Sequence, residues 1–183
     1  MLLHYFKKLK ASFVIFGILS FLFIILNILI LTTEVKGNLN VNVHETLGIF
    51  EVKMIFIHNF LIFIIVILLG NLTFGFSTII LLAITYFFTA FRIAEYYSLT
   101  GNKAIAIFSV LLHGIFELMA ISISADISFE TFRRWIFPKK NFSFRSKEFF
   151  NTTLFKLIIG ISLLFLAALI EIFFTSKFLT LLQ

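Results

Sequence analysis

Apolar residues fall into five blocks separated by polar stretches. Each block is about 20 residues long, the number an α-helix needs to cross a hydrocarbon core of roughly 30 Å. They run from Ala11 to Leu31, about Val52 to Gly70, Leu72 to Phe91, Ala104 to about Ala125, and Leu154 to Phe174. The pattern predicts an all-α, polytopic transmembrane bundle in which residues 1–183 form a single membrane domain. Gly70 and Asn71 are the only turn-formers between the second and third blocks, so these two make a tight hairpin with Asn71 capping the turn. The polar segment 32–53 carries Glu34, Lys36, Glu45 and Glu51 around an alternating patch, NLNVNV at 38–43, that fits a short strand or an interfacial coil. Arg92, Glu95, Tyr96, Tyr97, Gly101, Asn102 and Lys103 form an interfacial connection, with Arg92 and Glu95 as a border pair.

Composition agrees with this pattern: 61% of the 183 residues are hydrophobic, 13% are charged, and the mean hydropathy is +1.11. These values lie far outside the range of soluble domains. There is no cysteine, which removes disulfides, thiolate zinc sites and cysteine nucleophiles together.

Lys7, Lys8 and Lys10 precede the first block, but its 21 residues exceed the roughly 7–15 of a secretory signal and no small-residue cleavage site follows. It is expected to be a retained first helix. The 126–151 loop holds six basic residues, Arg133, Arg134, Lys139, Lys140, Arg145 and Lys147, interleaved with Phe and Trp135. The positive-inside rule places this loop and the N-terminal tail in the cytoplasm, and the four spans between them make that consistent. The N-terminus is then inside, the C-terminus outside, and the mainly acidic 32–53 loop outside. The net charge of +6 points to anionic lipid or a cytosolic partner at the 126–151 loop, not to nucleic acid.

An ionisable group at the bilayer centre costs on the order of 2.5–3.5 kcal/mol, so it should face protein or water and find a partner. Inside the predicted spans stand Asn27, His58, Asn59, His113, Glu117 and Glu171. His113 and Glu117 are four apart on one helical face and are placed to hydrogen-bond directly, while Gly114 between them admits a neighbouring helix. In the bland reading this pair holds a helix contact together. In the sharper one, depth matching brings His58, His113 and Glu117 together as a first shell for a divalent metal such as zinc, with Asn59 orienting a water; His113, Glu117 and Asn59 are then the candidate catalytic groups. Residue 114 is Gly, so no H-E-x-x-H is present, and G-x-S-x-G and P-loop signatures are missing too. Thr78, Thr85 and Thr89 are expected to bond their own helix carbonyls.

The stretches FIHNF at 56–60, GNLTFGFST at 70–78 and HGIFE at 113–117 together resemble the stage II sporulation protein M family of polytopic membrane proteins. The chain departs from the family pattern at ITYFFTAF, where an Asn-Gly is usual, and at Leu112, where a Pro usually precedes the His-Gly. The resemblance implies a bacterial cytoplasmic-membrane protein that acts as a non-enzymatic scaffold or accessory subunit of an envelope complex. Two settings follow from it: cell-wall remodelling in sporulation, and circular bacteriocin maturation or export, where a cytosolic ATPase and a hydrophobic peptide would join other membrane proteins as partners. No cofactor is expected on that reading. The alternative is an intramembrane, metal-dependent peptidase or peptide-maturation enzyme. A transporter or channel is disfavoured because few polar residues line any path across the inner half.

Overall fold

A computed structural model of the chain describes residues 9–32, 49–136 and 147–175. Five α-helices account for nearly all of them: α1 (Lys10–Thr32), α2 (Ile49–Leu72), α3 (Phe76–Thr100), α4 (Lys103–Ile136) and α5 (Lys147–Ile170). A single π-helical turn, Glu171–Thr175, continues α5. The spans Phe50–Leu72, Phe76–Ser98, Lys103–Ile136 and Lys147–Phe174 are each long and apolar enough to cross a membrane. The 23-residue α1 is comparable in length and equally apolar. Large side chains such as Phe21, Phe50, Phe76 and Phe174 ring the outside, as lipid-facing positions require.

The helices run alternately up and down, and α4 is the axis against which all the others pack. Its sequence explains that position. From Ala120 to Ser128, AISISADIS, every residue is buried, and small residues let neighbouring backbones approach. The hydroxyls this costs are returned to the helix: Ser122 Oγ donates to the Leu118 carbonyl at 2.8 Å and Ser124 Oγ to that of Ile121 at 2.7 Å. At its 1.5 Å rise, a 34-residue α4 is about 51 Å long and outruns the hydrocarbon core.

Two connections are tight. The α2–α3 hairpin turns at Thr73–Gly75, not at Asn71. Phe74 (φ 54°) and Gly75 (φ 87°) take the left-handed region, and the Gly75 N–H donates to the Gly70 carbonyl at 2.7 Å, the closing bond of a Schellman motif. Thr73 Oγ1 then accepts the Ser77 N–H at 3.0 Å and starts α3. The expected cap, Asn71, lies inside α2, and its Oδ1 is buried without a hydrogen-bond partner among the described residues. At the other end, Gly101 (φ 64°) closes α3 on the Tyr97 carbonyl, and Asn102 Oδ1 accepts the Ala104 N–H at 3.0 Å to cap α4.

Helix boundaries depart from expectation where polar residues are buried. Asp126, the expected start of a cytoplasmic loop, sits inside α4, which continues eleven residues beyond Ala125, and α5 begins at Lys147, seven residues before Leu154. Polarity marked the edge of the apolar run, but partners on other helices keep the helix going. The NLNVNV patch, Lys139, Lys140 and Arg145 lie outside the described residues, and of Asn27 only its place in α1 is described.

Candidate functional site: a polar groove between the second, third and fourth helices

At the end of the bundle away from the α2–α3 hairpin, a cavity of about 750 Å³ lies between α2 and α3. Its floor is α4, through Val110, His113, Gly114 and Glu117, and Glu171 of the π-helical turn closes one end. One wall carries His58, Asn59 and Ile62 from α2; the other carries Leu81, Thr85, Phe88, Arg92 and Tyr96 from α3. Val110, His113 and Gly114 of the floor are buried, His113 only 9% exposed, and Glu117 is half-buried, whereas Met54, Ile84 and Phe88 on the walls are 55%, 44% and 61% exposed. The cavity is therefore a groove open sideways between α2 and α3, facing the bilayer. Leu81 and Tyr96, fifteen residues apart on α3, give it a length of about 22 Å.

Five of the six intramembrane polar residues singled out from the sequence, His58, Asn59, His113, Glu117 and Glu171, line this one groove. Their bonding differs from the expected arrangement. Glu117 does not turn to His113: Asn59 Nδ2 donates to Glu117 Oε1, joining α2 to α4. The His113 ring bonds the Ser109 main-chain carbonyl one turn back on its own helix. Among the described residues no three His, Asp or Glu side chains converge as a metal-ligand set. His58 stands at the exposed rim, while His113 and Glu117 lie on the floor.

Arg92 and Tyr96 are the site residues that sequence reasoning missed. Arg92 lines the groove within Coulombic reach of Glu117 and Glu171, where a border pair with Glu95 was expected. The spacing of Thr85, Thr89, Arg92 and Tyr96 on one helical stripe was the available signal. Thr85 and Thr89 do bond the carbonyls of Leu81 and Thr85, each at 2.9 Å. Thr78 does not; it meets Ser128 Oγ at 3.2 Å. Gly114 is not a point of forced approach, since a Cβ there would meet Val110 and Thr89 at 3.8 and 3.9 Å. The close approaches are at Gly70, against Ser128 and Thr78, and at Gly160, against Phe63.

A second polar cluster ties the hairpin end together. Lys156 of α5, 2% exposed, reaches Asp126 Oδ2 at 3.0 Å and Glu130 Oε2 at 2.8 Å. Ser12 Oγ of α1 donates to the same Asp126 oxygen at 2.5 Å. Arg134, expected at the lipid or partner surface, instead pairs with Glu130 at 3.1 Å and stacks on Phe149 at 4.2 Å. Arg133 and Lys147 are exposed, as a surface role requires.

A family model described as stage II sporulation protein M matches residues 12–176, which takes in both polar clusters. The chain belongs to that family. No curated protein and no solved structure matches it. Family membership and the apolar helices together make it a membrane protein.

Proposed function

We propose that the chain is a non-enzymatic, multi-pass subunit of a bacterial envelope complex in the cytoplasmic membrane. It holds other membrane proteins through its outward helix faces and its basic 126–151 segment. On this reading the N-terminus and the α2–α3 hairpin face the cytoplasm, the groove opens in the outer half, and exposed Arg133 and Lys147 meet anionic headgroups or a cytosolic partner. Both settings the family resemblance offers, sporulation wall remodelling and circular bacteriocin maturation or export, use such a subunit.

The observation that carries the reading is the Asn59–Glu117 bond. A catalytic carboxylate must be poised toward substrate or water; here one Glu117 oxygen accepts from Asn59 and joins two helices. The competing peptidase reading needs Glu117 and His113 as acid and base. In cells lacking the native gene, Glu117→Gln and His113→Ala chains should therefore still recover the same membrane partners, by quantitative mass spectrometry after cross-linking, and support the same envelope process. Loss of peptide processing with the partner set intact would decide for the enzyme.

A further inference from the structure

Two carboxylates, Glu117 and Glu171, line the groove against one guanidinium, Arg92. With His58 and His113 neutral, two negative charges meet one positive charge, and one negative charge is left over. Among the described residues no ion pair joins Arg92 to either carboxylate, although it lies within Coulombic reach of both. A surplus charge in a low-dielectric groove draws in either a proton or a cation from outside the chain. Asn59 donates to one Glu117 oxygen, which leaves the other open as an acceptor beside Glu171. The π-helical turn that begins at Glu171 is where α5 departs from regular geometry, and such wide turns recur at functional sites. Beyond these groups the walls are apolar, through Ile62, Leu81, Ile84 and Phe88. The volume of 750 Å³ lies within the roughly 300–1,000 Å³ of small-molecule sites.

We propose that the groove binds a lipophilic primary amine, a single ammonium head on an apolar body. The head lies between Glu117 and Glu171, and the body follows the apolar walls toward the opening between α2 and α3. One ammonium brings the charge to zero, since two carboxylates then face Arg92 and the amine. It has three N–H donors, and Glu171 and the Glu117 oxygen not bonded by Asn59 stand ready to accept. A quaternary ammonium carries the same charge without those donors. An alcohol donates but brings no charge, a zwitterion leaves the surplus as it was, and an anionic head adds to it. A hard metal ion takes about six oxygen ligands, more than two carboxylates in an apolar cavity offer. A proton settles the charge but leaves the cavity unfilled. The sideways opening, rimmed by exposed Met54, Ile84 and Phe88, admits molecules dissolved in the bilayer, so the apolar body is a condition of entry as well as of fit. The site is independent of which proteins the chain assembles with, and its occupancy is read separately from partner recovery.

The test uses the full chain in maltoside micelles at neutral pH with equal amounts of three probes of the same chain length, dodecylamine, dodecyltrimethylammonium and dodecanol. Bound probe is counted by native mass spectrometry. Two charge-assisted hydrogen bonds predict about tenfold or greater preference for the primary amine over either of the others. Glu117→Gln and Glu171→Gln each remove the surplus charge and should each erase most of that preference. Arg92→Gln removes the competing cation, so amine retention should hold or rise, the opposite of what general damage to the groove would do. Should a variant fail to fold, the comparison of the three probes on the unaltered chain still decides. Equal retention of all three, the result expected if a proton alone meets the surplus charge, would overturn the proposal. So would a preference that survives both glutamate substitutions in folded protein, its loss in folded Arg92→Gln protein, full displacement of the amine by an equal concentration of sodium ion, or retention of an apolar peptide with one lysine ahead of the free amine.

Discussion

Replacing Lys156 with methionine tests how the hairpin end of the bundle is held. The side chain is almost wholly buried, and its ammonium sits 3.0 Å from Asp126 Oδ2 and 2.8 Å from Glu130 Oε2. Methionine fills similar volume but leaves both carboxylates without that cation. Glu130 keeps Arg134 at 3.1 Å and is the more exposed of the two. Among the described residues Asp126 keeps only the Ser12 hydroxyl and so bears most of the loss. Breaking a buried pair by removing one partner costs about 3–5 kcal/mol, a large share of the roughly 5–15 kcal/mol that stabilises a typical domain. At about 2–4 °C per kcal/mol for a chain of this size, the melting temperature should fall by about 6–20 °C. Asp126→Asn alone should cost less, about 1–3 kcal/mol, because Lys156 retains Glu130. In the double variant neither charge is stranded at that contact, so it should be clearly more stable than the sum of the two losses predicts. Thermal unfolding in detergent, followed by size-exclusion fluorescence, measures all four proteins. A Lys156→Met chain that melts with the wild type, or a double variant whose loss is simply additive, would refute the account of this network.

Other outcomes follow from the same geometry. At Gly160 a Cβ would lie 2.5 Å from Phe63 Cε2, and Phe63 is fully buried, so Gly160→Ala should cost about 1–3 kcal/mol by overpacking. Gly114→Ala, with 3.8 Å to its nearest neighbour, should melt within a degree or two of the wild type. Glu117→Gln keeps a carbonyl oxygen for the Asn59 amide and should be nearly neutral in the same assay, whereas Asn59→Leu strips Glu117 of its donor and should cost about 1–3 kcal/mol. The chain has no cysteine, so single cysteines report sidedness: in intact cells Gly101→Cys should react with a membrane-impermeant maleimide, and Thr73→Cys only after permeabilisation.

The bundle was legible because a 20-residue apolar block admits few structures in lipid other than a helix. The polar residues were legible for a related reason: His58, Asn59, His113, Glu117 and Glu171 are costly in hydrocarbon, so each should share protein or water with others, and depth along the helices sets His58 and His113 about one turn apart in the outer half, with Glu117 near the midplane. What depth could not supply was rotation. Glu117 and His113 share a face, yet the carboxylate turns to Asn59 across the helix contact, and only the packing angle of α2 on α4 decides that. Arg92 was misread because a cation near a helix end is usually interfacial. Asp126 and Glu130 stood in the sequence as a pair four residues apart, and Lys156 as a cation within the fifth block. A first polar residue ordinarily ends a span, whereas here α1 and α5 supply partners that keep α4 helical to Ile136.

The convergence of these polar groups is tested most directly by cross-linking. In the cysteine-free chain, Asn59→Cys combined with Glu117→Cys should be joined efficiently by a short bis-methanethiosulfonate in native membranes, as an intramolecular product. Asn59→Cys combined with Ile115→Cys, which lies on an exposed face of α4, should not. Equal reaction of the two pairs, or none at Asn59 and Glu117, would contradict a groove in which α2 and α4 meet through these side chains.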